Sequence, residues 1–234
     1  PPPEKLTYTK VYRGFTLAEV LITLGIIGIV ASITLPVIIT NVRSKQLEAG
    51  LKKSYSVISQ ALEMYRAENG EPLIAGENIK IKPILMKYLH SIKDCGTGSL
   101  DPSACIPHYG GNNEKNSTVY KTFNGKRLIS LYEFDDGQFV LNDGALILLE
   151  NMNGSSSLFI SVDVNGYKKN PNRLGQDLFM FQINNEGRLL PMGIEGTSYY
   201  SKSDEYCSAS SNNSMNGAGC TYNALSDTDY FKKL

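Results

Sequence analysis

Residues 17–39 read LAEVLITLGIIGIVASITLPVII, and Glu19 is the only ionisable residue among them. At about 1.5 Å of rise per residue, a helix of this length is roughly long enough to cross the hydrocarbon core of a bilayer. A carboxylate near one end of such a run is an anomaly. Burying it in lipid costs on the order of 3 kcal/mol on insertion scales, and more without a partner. Something has to neutralise it.

The preceding residues supply a candidate. Lys5, Lys10 and Arg13 against Glu4 make the first fourteen residues net positive, which holds that end in the cytoplasm. Gly14 then falls at the polar edge of the membrane, where a small, flexible residue gives a protease access to the backbone. A cut between Gly14 and Phe15 would leave a protonated amine on Phe15, four residues before Glu19. In a filament, the amine of one subunit would meet the carboxylate of its neighbour and remove both penalties.

Gly14 before the cut, Phe15 after it, Thr16-Leu17, Glu19 at the fifth mature position and Pro36 at the twenty-second resemble the type IV pilin and type II secretion pseudopilin superfamily. The resemblance implies that a prepilin peptidase at the inner membrane cuts after Gly14 and methylates Phe15, and that Glu19 serves subunit docking. It is close from residue 13 to about residue 40, looser to about residue 70 and generic beyond. The chain opens with Pro1-Pro2-Pro3 instead of Met, so the leader is expected to be truncated. An ordinary signal anchor would explain the length and the positive flank, yet it has no reason to place Glu after Gly-Phe-Thr-Leu-Ala. A secretory signal peptide would need a shorter apolar core with a small-residue cleavage site after it, whereas the cut here precedes the core.

The 234 residues suffice for one domain plus a long anchor. With 23 basic and 23 acidic residues the net charge is zero, so no nucleic-acid partner is expected. All four cysteines, Cys95, Cys105, Cys207 and Cys220, follow the anchor, and export would favour disulfides. Three connectivities are open. Cys95 with Cys105 and Cys207 with Cys220 is the favoured one, because each pair encloses a short, turn-rich loop. Neither pair has the Cys-x2-4-Cys spacing of structural zinc sites. Enzymatic fingerprints are missing: the sequence contains no His-Glu-x-x-His, Gly-x-Ser-x-Gly, P-loop or dinucleotide motif. Asp135 and Asp136 are adjacent, so in a strand they would point to opposite faces and share no site.

The helix is expected to continue beyond the membrane. Leu47, Leu51, Tyr55, Ile58, Leu62 and Tyr65 recur every three or four residues, while Lys45, Lys52, Lys53, Gln60, Glu63 and Arg66 fall mainly elsewhere. The amphipathic pattern stops near Asn69-Gly70, where Gly supplies a C-terminal stop. A rod of about 80 Å follows from this length. Pro36 removes the donor for the Ser32 carbonyl and predicts a kink there; family members carry proline at this place, which implies a flexible point used when the helix leaves the bilayer. Gly25 and Gly28 would let neighbouring helices approach closely, or be incidental.

Pro83 followed by Ile84, Leu85, Tyr88, Leu89 and Ile92 predicts a short second helix packed on a sheet. His90 and His108 are expected at the surface. From about Thr118 the pattern becomes strands: LISLYEF, QFVL, ALILLE and SLFISVDV, punctuated by Asp136-Gly137, Asp143-Gly144, Asn153-Gly154, Asn165-Gly166 and Glu186-Gly187. In the last run Leu158, Ile160, Val162 and Val164 alternate with Phe159, Ser161 and Asp163, predicting one buried face. The amphipathic half of the first helix is its natural cover, an α+β, pilin-like architecture with an antiparallel sheet.

Two segments offer more than structure. In residues 162–179, Asp163, Asn165 and Asp177 provide hard oxygen ligands near a tight turn, which a calcium ion could gather; some pseudopilins bind calcium in a late loop, although the full EF-hand pattern is absent. The competing reading is that Asp163 and Asn165 cap turns through their own backbone. Between Cys207 and Cys220, SASSNNSMNGAG would be floppy without a staple. Its position resembles the disulfide-bounded, exposed C-terminal region of type IV pilins.

The resulting expectation is a leader at 1–14, a membrane or filament-core helix at 15–39, its amphipathic continuation at 40–70 and an exported β-rich domain at 71–234. The chain would be a structural subunit and not an enzyme, without a cofactor apart from the calcium option. It would sit in the inner membrane with its C-terminal domain exported. Its expected partners are prepilin peptidase, an assembly platform and other pilins in a pilus or a secretion pseudopilus. The alternative is a membrane-anchored binding module that never polymerises.

Overall fold

The computed structural model describes residues 14–76, 80–98, 101–109, 116–151 and 157–234. The basic flank 1–13 and the expected Asn153-Gly154 turn lie outside the described residues. The chain divides into two units between Arg43 and Ser44. One helix, α1 (Leu17–Asn69), contributes to both.

In the first unit the apolar side chains of α1 stay exposed, Ile33 to 68%. Pro36 lies inside the helix without ending it. The Thr40 hydroxyl turns back onto the Pro36 carbonyl at 2.9 Å.

In the second unit α1 is amphipathic as its spacing predicts. Leu47, Leu51, Ile58 and Leu62 are buried, with Tyr55 and Tyr65 packed beside them. The helix comes close to the sheet: at Gly50 an added Cβ would stand 3.1 Å from the Val164 Cβ. It ends at Gly70, whose φ of +78° suits glycine and whose N–H bonds the Arg66 carbonyl at 2.9 Å.

Helix α2 (Ile81–Tyr88) has Pro83 in its first turn and buries Ile81 and Leu85. It is tied to the end of α1 by a Lys87–Glu68 ion pair, a Tyr88 hydroxyl bond to Glu68 at 2.8 Å and an edge contact between Tyr65 and Tyr88. The expected stripe does not reach Ile92. The chain becomes extended at Leu89 and enters β1 (Ser91–Asp94), leaving Ile92 69% exposed.

Strands therefore begin earlier than Thr118. Besides β1 there is β2 (His108–Tyr109), which pairs with β3 (Asn116–Lys121) and through it with β4 (Leu128–Ser130) in a small sheet. The segment LISLYEF is strand only in its first three residues; it then turns, with the Phe134 N–H bonding the Leu131 carbonyl, and sinks Phe134 into the interior.

The main sheet adds β5 (Gly137–Leu141), β6 (Leu146–Asn151), β7 (Leu158–Asp163), β8 (Leu178–Ile183) and β9 (Leu189–Pro191), antiparallel in the order β1-β5-β6-β7-β8-β9. Asp143-Gly144 closes the β5–β6 hairpin and Glu186-Gly187 the β8–β9 hairpin. Gly137 is instead the first residue of β5.

The expectation of one buried face on β7 is overturned: every residue of β7 is buried. Leu158, Ile160 and Val162 face the core under α1 and α2, shared with Phe139, Ile147, Leu149, Phe179 and Phe181. Phe159 faces a second core with Leu146, Leu148, Met180, Tyr120, Phe134, Met192, Met215 and Ala218. The small sheet and the C-terminal segments cover the face that periodicity assigned to solvent. The chain closes with α3 (Cys220–Ser226) and a 3-10 turn, Tyr230–Lys232, whose Tyr230 hydroxyl bonds the Gly175 carbonyl at 2.6 Å.

Candidate functional site

Gly14 and Phe15 precede the helix in non-helical backbone, Phe15 is 88% exposed, and among the described residues other than its chain neighbours nothing lies within 4 Å of where a Gly14 Cβ would stand. The bond between them is thus open to a protease. Thr16 is the residue before the first turn. Its N–H and hydroxyl donate to Glu19 Oε2 at 2.8 and 2.7 Å, while the Glu19 N–H donates to Thr16 Oγ1 at 3.2 Å. This is a capping box: each residue satisfies a donor that the helix start leaves orphaned. Glu19 therefore has a partner within its own chain, and the Thr-x-x-Glu spacing was the signal that could have found it.

Along the apolar stretch each hydroxyl turns inward to its own helix. Thr23 donates to the Glu19 carbonyl at 2.9 Å, Ser32 to Ile29 at 2.8 Å and Thr34 to Val30 at 3.0 Å. Outward the helix shows only carbon, as a bilayer or a packed neighbour demands. Gly25 and Gly28, three residues apart on one face, have open space around them. This surface has no catalytic group; what it can do is insert and dock.

Residues 9–35 match the prokaryotic N-terminal methylation motif, the hallmark of the type IV pilin and pseudopilin signal. No curated protein and no solved structure matches the chain. The motif points to a processed, exported, membrane-anchored structural protein and not to an enzyme, and in general terms to prepilin peptidase processing and assembly with other pilins.

The other singled-out residues lie in the second unit. Asp163 ends β7 and Asp177 lies in the connection just before β8, and both are buried. Asp163 Oδ1 accepts the Asn165 and Gly166 N–H groups at 3.2 and 2.9 Å, and its Oδ2 accepts the Tyr120 hydroxyl at 2.6 Å. Asp177 accepts the N–H groups of Asn172 and Arg173, both at 2.7 Å. Asn165 donates to the Asn170 carbonyl at 3.1 Å, and its own Oδ1 is buried without a partner. Asp163 thus caps the turn's own backbone, as the reading that competed with calcium had it, whereas the other residue of that reading, Asn165, bonds the Asn170 carbonyl; Asp177 holds the backbone at Asn172 and Arg173. Burial, and then the charge of Asp177, pushes the Asp163 carboxyl above the ordinary aspartate range.

Cys95 is bonded to Cys105 and Cys207 to Cys220. The Cys207–Cys220 segment is no loose appendage. Asn216 is fully buried and bridges Ser208 through both its amide atoms, at 3.0 and 2.8 Å, while Met215 and Ala218 enter the second core. His90 is exposed; His108 stands in β2 and not in a loop.

The dismissal of Asp135 and Asp136 fails. They lie in the loop before β5, not in a strand, and one carboxylate oxygen from each is within 4.8 Å of the other and of one from Glu150. Burial first, then the charges of Asp136 and Asp135, push the Glu150 carboxyl up to about 9.

Proposed function

We propose that the chain is a filament subunit of the pilin type. Prepilin peptidase cuts between Gly14 and Phe15, the new amine is methylated, and the apolar half of α1 leaves the bilayer to pack against the same region of other subunits. Glu19 docks on the Phe15 amine of a neighbour, exchanging its bonds to Thr16 for an ion pair that offsets both buried charges. The observation that supports this reading best is a single carboxylate, in the methylation motif, at the head of a helix whose apolar surface is exposed throughout.

Intact mass tests the processing step, on the chain expressed from an added initiator Met with and without a prepilin peptidase. The product should begin at Phe15 and carry one added methyl group; a retained leader would leave a plain membrane anchor. Assembly is tested with Glu19→Gln. Glutamine can still close the capping box but lacks the charge, so the variant should be cut and inserted normally yet fail to polymerise. Filaments formed at the wild-type rate by Glu19→Gln would remove the docking role.

A further inference from the structure

Register brings three carboxyl groups together on the exported domain. Gly137 pairs with Leu149 across β5 and β6, so the loop that ends at Asp135-Asp136 lies over Glu150. The Asp136 N–H donates to the Leu149 carbonyl at 2.9 Å, and Asp136 Oδ2 accepts the Asn151 N–H at 2.8 Å. One oxygen from each of Asp135, Asp136 and Glu150 lies within 4.8 Å of the other two. Asp136 is exposed, Asp135 half-buried and Glu150 only 8% exposed, so the cluster has an open mouth and a closed floor. The floor is the unusual part. Among the described residues, Glu150 Oε2 is shut off from solvent and has no hydrogen-bond partner. An orphaned buried acceptor is costly, and this one belongs to a carboxyl group beside two further carboxylates.

We propose that Asp135, Asp136 and Glu150 bind a divalent cation of the calcium class. A dication meets the orphaned oxygen and the mutual repulsion at once. The donors are all oxygen, with no imidazole or thiolate among them, which selects hard ions. Two ligands about 2.4 Å from a calcium ion stand at most about 4.8 Å apart, whereas magnesium at about 2.1 Å draws its ligands within about 4.2 Å. The three oxygens lie within 4.8 Å of one another, inside the calcium limit, and an irregular half-shell of this kind suits calcium better than magnesium, which demands near-octahedral geometry. Three carboxyl groups give only part of a shell of about 6–8 oxygens, and the open side at Asp136 leaves room for water to complete it. Affinity is therefore set in the range of about 10⁻⁴–10⁻³ M, typical of extracellular modules. Binding would clamp the loop after β4 to the edge of β6.

The test uses the full chain in detergent micelles, with thermal unfolding and calorimetric titration in chelator, CaCl2 or MgCl2. About 10 mM CaCl2 should shift the folding equilibrium about 10–100-fold and raise Tm by about 3–10 °C, with MgCl2 doing much less. Asp136→Asn keeps the shape of an exposed side chain and should weaken calcium binding at least about tenfold; Glu150→Gln should abolish it. Should Glu150→Gln fail to fold, Asp136→Asn decides alone. Saturable calcium binding undiminished in Asp136→Asn overturns the proposal and moves the ion elsewhere, the Asp163–Asp177 turn first. So does a wild-type chain with neither a Tm rise nor a saturable heat.

Discussion

Thr16 and Glu19 cap each other at the start of α1, so the structural use of Glu19 is separable from the docking role proposed for it. Thr16→Ala removes the hydroxyl that both donates to and accepts from Glu19. The expected loss is about 1 kcal/mol, confined to the first turn. Amide exchange in micelles should quicken over residues 17–20 while cleavage after Gly14 is unchanged; equal protection in the variant would mean that the cap contributes nothing. A second pair holds α2 to the sheet edge. The Lys82 side chain, 8% exposed, pairs with Asp94 and donates to the Gly96 carbonyl at 2.8 Å. Asp94→Asn leaves that ammonium with neutral partners alone and should cost about 1–2 kcal/mol at pH 7. The hydrogen bond from Lys82 holds the Asp94 carboxyl below its usual value. A depressed folded value means that the contribution is fully present above the unfolded value of about 3.9 and fades as pH falls through the folded one. Denaturant titrations of both forms should therefore differ at pH 7 and converge near pH 2; a gap that persists in acid would assign the effect to packing. At this scale the sequence offers candidates where they are contiguous. Gly14, Phe15 and Glu19 stand within one short motif, whereas the neighbourhood of Asp135, Asp136 and Glu150 exists only once β5 and β6 are in register.

Among the elements, α1 was legible to its last turn because its period of three and four is long and Gly70 marks its end. The strands were legible in place but not in environment. Alternation in β7 set Leu158, Ile160 and Val162 apart from Phe159 and Ser161 correctly, yet it could not reveal that a second layer covers the other face. Part of that layer comes from Met192, Met215 and Ala218, in stretches rich in Gly, Ser and Asn that carry no period. The two readings of β7 make opposite predictions for Phe159. On a solvent face its loss would change stability by less than about 0.5 kcal/mol. In the second core, 1% exposed, it should cost about 3–5 kcal/mol as Phe159→Ala. Urea unfolding of the full chain in micelles distinguishes them, and a near-neutral variant would mean that the covering layer is not packed against β7.

At the scale of the whole molecule the two units answer to different solvents. Among the described residues, the two hydrophobic cores draw only on residues from Leu47 to Phe231, all within the second unit. From Phe15 to Val42, by contrast, large apolar side chains are exposed one after another, a surface far larger than a soluble monomer tolerates. A chain of residues 44–234 should thus be soluble and monomeric without detergent, with both disulfides formed and the Tm of the full chain in micelles. Sedimentation and thermal unfolding check this together. The full chain without detergent should instead associate through residues 15–42. Were the truncated domain to associate as strongly, the apolar half of α1 would not be the assembly surface, and the exported domain would have to supply it. A monomeric domain would leave the apolar half of α1 to carry the assembly proposed for this chain, with Glu19 at its head as the charge proposed to set one subunit against the next.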